Sequence, residues 1–233
     1  LPQAVAIGDL NRDGNLDVAT ANLGFGANSV SVLMGNGNGT FRSAQTVKIA
    51  GTQPIALGMA DFNRDNRLDL VTADTGSNTV SVLLGTGNGN FSQAKRYAFG
   101  RSAPFGVVTG DFDEDGKLDI ATANYGSGAG ISVLFGNGRG NFGNQTALLT
   151  GVPTTSIQAT DLNGDGHADL IATLRNAASV AVILSDGAGN FSRPFYATTG
   201  PSPTATAIGD FNQDKKPDLV VTSRTSTNAL VLR

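Results

Sequence analysis

The stretch DLNRDGNLD, at residues 9–17, carries Asp or Asn at every second position when it is numbered from its first Asp. It recurs as DFNRDNRLD at 61–69, DFDEDGKLD at 111–119, DLNGDGHAD at 161–169 and DFNQDKKPD at 210–218. The steps between copies are 52, 50, 50 and 49 residues. We call these copies loops one to five. A fixed period of this length indicates a repeat architecture.

Two other markers keep the same period. A glycine-rich turn appears as GNGNGTF at 35, GTGNGNF at 85, GNGRGNF at 136 and SDGAGNF at 185. A proline precedes each loop, and the five are Pro2, Pro54, Pro104, Pro153 and Pro203. Three markers with one period make a chance agreement untenable, so the chain is five copies of one unit.

Each unit contains four stretches that are typical of β-strands. In the first unit they are AVAIGDL, LDVATAN, NSVSVLMG and FRSAQTVKI, and the third places Val30, Val32 and Met34 on one face. Gly and Asn interrupt the chain too often for helices. Four strands in about 50 residues predict a propeller blade, a sheet that buries its faces against neighbouring blades.

We therefore expect an all-β fold, a single β-propeller over 1–233 with five blades of four antiparallel strands. The expected blades cover about 1–50, 51–101, 102–150, 151–200 and 201–233. The fifth unit stops after its third strand, NALVLR at 228–233, so the last blade should have three strands. A closed five-bladed ring is the preferred arrangement, and part of a longer propeller is the alternative.

The composition excludes several classes of protein. The chain has no Cys, so it can form neither disulfides nor thiolate metal sites. Its net charge of −3 gives no basic field for nucleic acid or anionic lipid, and no apolar run reaches the 18 residues that suggest a membrane span. The chain begins at Leu1 without Met or a signal peptide, which indicates a mature or excised piece.

The acidic loops predict calcium binding. They hold 17 of the 19 acidic side chains, and such clusters repel one another unless a cation lies among them. Ca²⁺ takes six to eight oxygen ligands in a forgiving geometry. We expect up to five Ca²⁺ ions, one per blade, bound by positions 1, 3, 5 and 9 and by the backbone carbonyl of position 7. The metal residues are Asp9, Asn11, Asp13, Asn15, Asp17, Asp61, Asn63, Asp65, Arg67, Asp69, Asp111, Asp113, Asp115, Lys117, Asp119, Asp161, Asn163, Asp165, His167, Asp169, Asp210, Asn212, Asp214, Lys216 and Asp218.

Single positions refine this prediction. Position 7 shares no side-chain chemistry among the copies, so its side chain should point away. Position 6 should have positive φ and is Gly, Asn or, in loop five, Lys215, so loop five should bind weakest and the acidic loop three tightest. Helix–loop–helix calcium sites need Glu at position 12, where this chain has Thr, Ala or Val. The loops therefore belong between strands.

These motifs resemble the FG-GAP repeats, also described as VCBS-type repeats, of integrin α-subunit propellers and bacterial surface proteins. The matching pieces are IGDL, MADF, VTGDF, ATDL and IGDF before the loops, the loops themselves and the GNGxGxF turns. The resemblance covers the whole chain. It implies a propeller whose calcium loops join the first two strands of each blade.

Three functions remain open from the sequence. The first is a non-catalytic, calcium-stabilised binding or adhesion module, extracellular or at the cell surface, with a protein or glycan ligand. The second is the propeller part of a secreted polysaccharide-active enzyme, whose channel mouth would be formed by 21–29 or 95–102. The third is a spacer or assembly domain that self-associates through the edge of the last blade. Glu114 should be solvated, and the loop position 2 residues and turn phenylalanines should pack in the core.

Overall fold

The computed structural model describes residues 1–24, 28–225 and 229–232, and within these ranges it contains 19 β-strands and no helix. They form five antiparallel sheets in chain order, four with four strands and the last with three, as predicted. Blade one contains β1 (Pro2–Gly8), β2 (Asp17–Asn22), β3 (Ser29–Leu33) and β4 (Gln45–Lys48). Blade two contains β5 (Pro54–Ala60), β6 (Asp69–Asp74), β7 (Thr79–Leu83) and β8 (Lys95–Ala98). Blade three contains β9 (Pro104–Gly110), β10 (Asp119–Asn124), β11 (Gly130–Leu134) and β12 (Thr146–Thr150). Blade four contains β13 (Thr154–Thr160), β14 (Asp169–Leu174), β15 (Ser179–Ile183) and β16 (Phe195–Thr198). Blade five contains β17 (Pro203–Gly209), β18 (Asp218–Ser223) and β19 (Leu230–Leu232).

The hydrophobic core lies between the blades. Alternation along each strand gives a blade two apolar faces, a front face toward the next blade and a back face toward the preceding one. Val30 and Val32 on the front of blade one pack in one cluster with Leu70 and Leu83 on the back of blade two. Equivalent clusters fill the other three junctions, so each blade depends on its neighbours for burial.

The two end faces of the array are open. Val5 and Ile7 on the back of blade one are each 62% exposed, whereas their equivalents in blade two, Leu57 and Met59, are partly buried in the first junction. Among the described strands, β17 does not pack against β1 in the way that the first strands of successive blades pack together. Within the described residues, the two ends of the five-blade array therefore stay apart, unlike in the expected closed ring.

The open ends also correct two packing predictions. Phe211 at position 2 of loop five is 53% exposed, although Leu10, Phe62 and Phe112 at the same position are buried as expected. Phe41 in the first glycine turn is 46% exposed, whereas Phe91, Phe142 and Phe191 pack against the junction clusters. Each exposed side chain lies on a face that has no neighbouring blade.

The segment 95–102, one of the two predicted channel mouths of an enzyme, is not part of the first strands, which pack against one another from blade to blade. Its first part is β8, the fourth strand of blade two, and Tyr97 packs edge-on against Phe142 with ring centroids 5.4 Å apart. The other candidate segment, 21–29, includes 25–27, which lie outside the described residues. The part of the chain that is described contains no helix that could cross a membrane.

Candidate metal centre

The five acidic loops connect the first and second strands of each blade and share one backbone conformation. Position 6 has positive φ in every loop, as predicted. Position 4 has positive φ as well, although only loop four carries Gly there. The position 4 residues are Arg12, Arg64, Glu114, Gly164 and Gln213. Because positions 4 and 6 have this left-handed backbone conformation, the chain curls so that the oxygens of positions 1, 3 and 5 converge.

Position 9 anchors each loop to its sheet. In blade three the carboxylate of Asp119 is fully buried, and its Oδ2 accepts the backbone N–H of Phe112 at 2.8 Å. Its Oδ1 accepts the N–H of Gly136, the first residue of the glycine turn, at 2.7 Å. Asp17, Asp69 and Asp169 make the same pair of bonds, so this residue fastens the loop and the turn together in four blades. Each oxygen retains a lone pair, and its role as a ligand stays a prediction.

The turn passes close to the loop at this point. A Cβ atom on Gly136 would lie 2.1 Å from the carbonyl oxygen of Leu118, which precedes the anchor. Gly35 and Gly85 have the same relation to Leu16 and Leu68. In these three blades the glycine accommodates the close approach that lets its N–H reach the buried carboxylate, whereas blade four has Ser185 at this position and keeps the same bond.

Positions 1, 3 and 5 are pre-formed by hydrogen bonds within four of the loops. In loop one, Asp9 accepts the N–H groups of Asp13 and Gly14, and Asn11 donates through Nδ2 to Asp13 Oδ2 at 2.9 Å. The amide of Asn at position 3 makes this bond in loops two, four and five also, at 2.9, 2.7 and 3.1 Å. These bonds offset the repulsion between the two carboxylates that flank the amide.

Loop three lacks this internal compensation. Its position 3 is Asp113, and one carboxylate oxygen from each of Asp111, Asp113 and Asp115 lies within 4.8 Å of the others. Asp111 Oδ2 accepts the N–H of Gly116 at 2.8 Å, but Oδ1 is buried and has no hydrogen-bond partner. Within the described chain this is the one cluster of three acidic side chains placed to hold a metal ion. Oxygen-only donors and a buried, unpaired carboxylate oxygen fit a hard cation such as Ca²⁺.

Basic side chains approach position 5 in three loops. Arg42 and Arg67 lie 3.9 and 3.5 Å from the carboxylates of Asp13 and Asp65, and Lys117 contacts Asp115. The prediction that position 7 points away is therefore wrong for Arg67 and Lys117. Both are partly exposed, so these ion pairs are weak charge compensation that an incoming cation could displace.

Loops three and four also contact each other. Glu114 is exposed, as expected, and it also forms a hydrogen bond with His167 Nδ1 across the blade boundary. This hydrogen bond raises the pKa of His167, and partial burial opposes the shift. The pair joins two loops that the sequence alone gives no reason to connect.

Several of the loop carboxylates have a shifted pKa, and the causes differ from residue to residue. Burial raises the pKa of Asp69 and Asp119 to about 6, although hydrogen bonds from Gly85 and Gly136 oppose the shift. At position 5, the N–H of Asn15 lowers the pKa of Asp13, and the Lys117 side chain lowers that of Asp115. Burial raises the pKa of Asp113, and Asp115 and Asp111 add repulsion. At the centre of loop three, burial and the neighbouring carboxylates therefore both oppose the charged form of Asp113.

The chain was compared with known structures and sequences. No curated protein sequence matches it. It is similar to the BP39L lectin of Burkholderia pseudomallei, at 15% identity and a TM-score of 0.73, covering 98% of this chain and 65% of that one. It is also similar to a lectin of Agrocybe aegerita that recognises non-reducing terminal N-acetylglucosamine, at 20% identity and 0.61, covering 93% and 59%. A third similar structure, from Bacteroides uniformis, was assigned as a 6-phosphogluconolactonase; it has 15% identity, a TM-score of 0.66 and coverage of 99% and 69%.

These likenesses concern the fold, because the identities are low. The chain spans less than two thirds of the length of either lectin. The sequence family is more specific: the FG-GAP-like repeat matches at residues 9–72, 61–122, 111–172 and 161–221. Each match begins at the first Asp of one loop and extends into the second strand of the next blade. The chain therefore belongs to the FG-GAP-like repeat family.

Proposed function

We propose that this chain is a non-catalytic binding module of the extracellular space or cell surface, in which Ca²⁺ held by the acidic loops stiffens one rim of the blades. Its ligand would be a protein or a glycan. The observation that carries the metal part is the buried, unpaired Oδ1 of Asp111 beside the carboxylates of Asp113 and Asp115. A buried oxygen without a donor is costly unless a cation or proton occupies the site.

The other loops support the same proposal with a different ligand set. Asn at position 3 supplies a neutral oxygen, so loops one, two, four and five offer fewer charges than loop three while keeping the same curl. Ca²⁺ also binds amide and carbonyl oxygens, and a site with fewer charged ligands binds it more weakly. Such weak sites suit the high calcium concentration outside cells.

The binding role is supported by where the loops lie. The acidic loops and the glycine turns are fastened together by the position 9 carboxylates, and both belong to the same end of each sheet. A rigid scaffold that presents a row of loops is a common way to build a recognition surface. Two of the similar structures are lectins, which favours a glycan among the ligands to be tested first.

Thermal unfolding tests the calcium part. Ca²⁺ that binds only the folded chain stabilises it by about 2.7 kcal/mol at about 100 times the dissociation constant, which corresponds to about 5–10 °C in melting temperature. Calorimetry is the suitable measurement, because the chain has no Trp. Magnesium at equal ionic strength is the control for charge screening. An unchanged melting temperature at millimolar calcium would refute the metal part.

A glycan array with product detection tests the binding part. We expect retained glycan without any change in it, and retention should fall when calcium is chelated. Conversion of a glycan to product would overturn the non-catalytic assignment. Retention of no glycan would direct the search to protein ligands.

A further inference from the structure

The blades join through a side chain that inserts into the next blade. Phe62, at position 2 of loop two, lies on the front of blade two and meets Phe142 of blade three edge-on, with centroids 5.4 Å apart. Leu118 packs in the same cluster. The carbonyl of Phe62 accepts the N–H of Gly140, in the glycine turn of blade three, at 3.0 Å. We call the position 2 residue the plug, and the turn and position 8 of the next blade the socket.

The same arrangement recurs at the neighbouring junctions. Phe112 is the plug between blades three and four; it meets Phe191 with centroids 6.4 Å apart, and its carbonyl lies 3.4 Å from the donating Oγ of Ser185. Leu10 is the plug of blade one, and its carbonyl accepts the N–H of Gly89 at 3.3 Å. A plug therefore combines apolar burial with one hydrogen bond to the next turn.

Among the described residues, one socket and one plug are left without a partner. On the back of blade one, Leu16, Gly39 and Phe41 hold the positions of Leu118, Gly140 and Phe142, and they line an open cleft of about 360 Å³. Leu16 is 66% exposed. At the other end, Phe211 projects from the front of blade five.

We propose that two copies of this chain join head to tail, with Phe211 of one copy seated between Leu16 and Phe41 of the next. The socket and the plug are the same parts that the chain uses at its internal junctions, and they are not joined to each other within one molecule. The exposed Val5 and Ile7 on one side and Val231 on the other extend the apolar surface around the plug. Burial of these side chains supplies the driving force.

The contact is heterologous, because different surfaces of the two copies meet. Such contacts propagate into longer assemblies unless the geometry closes. This property separates the proposal from pairing of two β19 edges, which would use the same surface of both copies and stop at a dimer. It also makes the proposal testable with two variants that each damage one side only.

The experiment is sedimentation velocity of the full chain over a range of concentrations, with the variants Leu16→Ser and Phe211→Ser. We expect the natural chain to sediment above its monomer mass of 23.7 kDa as concentration rises. Each variant alone should lose about tenfold or more in association constant, because it lacks one half of the contact. A mixture of the two should recover a complex of one copy each, since the intact plug of one meets the intact socket of the other.

Tyr196→Ser is the matched control, because Tyr196 is 50% exposed on β16 and its strand partner Ala181 faces the junction with blade three rather than either end of the array. It should associate like the natural chain. Circular dichroism and calorimetry establish that each variant is folded. A natural chain that stays monomeric at all concentrations would overturn the proposal, and so would association that survives in Leu16→Ser alone, which would indicate edge pairing. Recovery in the mixture but in neither single variant supports it.

Discussion

Loops three and five have the same length and curl but differ in what surrounds them. Three carboxylates converge in loop three, and its position 6 is Gly116. Asp119 accepts two backbone N–H groups, one from the loop and one from the glycine turn. In loop five an Asn amide separates the carboxylates, and position 6 is Lys215. The anchor Asp218 accepts the N–H of Phe211.

The difference shows that the loop is a product of its blade and of the next blade. Loop three is completed by a glycine turn on one side and by the plug Phe112 buried in blade four on the other. Loop five has neither, because its blade ends at the third strand within the described chain and its front face is open. In loop five an amide offsets the repulsion between carboxylates and the anchor accepts the N–H of Phe211, whereas loop three brings three carboxylates together and its anchor accepts two N–H groups.

Removal of the anchor carboxylate should have the largest effect on stability, and it tests the difference between loops three and five. Asp119→Ala leaves the buried N–H of Phe112 and the part-buried N–H of Gly136 without acceptors, and each unpaired donor costs about 1–3 kcal/mol. We expect a loss of about 3 kcal/mol in the free energy of unfolding, measured by urea denaturation in chelator so that metal binding does not contribute. Asp218→Ala should cost about half as much, because one such N–H is lost.

Asp119→Asn is the matched control for this experiment. It keeps one oxygen acceptor but turns an N–H₂ donor toward a second N–H, so its cost should lie between those of the natural chain and Asp119→Ala. Equal costs for Asp119→Ala and Asp218→Ala would show that the bond to the glycine turn contributes nothing.

A change at position 3 should remove the charge difference between the loops, with a smaller effect whose sign depends on calcium. Asp113→Asn gives loop three the Asp–Asn–Asp pattern of the other four. Without calcium, the new amide can donate to Asp115 as Asn11 donates to Asp13, so we expect a gain of about 1 kcal/mol. With calcium, the loss of a charged ligand should lower the affinity and reverse the order of stability. Calorimetry in chelator and in calcium checks both signs.

The matched partner is Asn63→Asp in loop two, which builds the strained pattern where it does not exist. It should destabilise the chain in chelator and increase the calcium-induced shift. If Asp113→Asn lowers stability in chelator as well, the acidic cluster is not strained and the metal argument loses its main support.

The sequence could predict what the repeat dictates locally. The strand order, the antiparallel blades and the positive φ at position 6 follow from alternation, turn residues and period, and the structure confirms them. The positive φ at position 4 was missed, because four of the five residues there are not Gly; Gly164 was the only signal. The curl imposed by the hydrogen bonds to position 1 overrides the backbone preference of Arg12 or Glu114.

The contacts that cross from blade to blade could not be predicted. The pairing of Glu114 with His167 needs the relative placement of two sheets, which the local pattern does not encode. The roles of the position 2 residue as plug and of the turn Phe as socket also depend on that placement. Position 2 is Phe in both loop two and loop five, yet Phe62 is buried and Phe211 is exposed. The burial of a side chain at a propeller junction depends on the neighbouring blade, so the sequence of one repeat unit alone overestimates that burial.

The smallest predicted effect concerns the backbone at position 6. Lys215 has φ of 67°, a conformation that costs an L-residue about 1–2 kcal/mol, whereas Gly adopts it freely but loses about 0.5–1 kcal/mol of chain entropy on folding. Lys215→Gly should therefore stabilise loop five by about 0.5 kcal/mol, and Gly116→Lys should destabilise loop three by a similar amount. Because a terminal blade can open before the others, the measurement is hydrogen exchange at the amide of Phe211, which is bonded to Asp218. Slower exchange in Lys215→Gly, with a tighter response to calcium, would show that loop five is weak because of its turn residue. Unchanged exchange would assign the weakness of loop five to the open face around Phe211 instead. Leu219, which is 7% exposed in the junction between blades four and five, would then mark the limit of the protection that blade four gives to blade five.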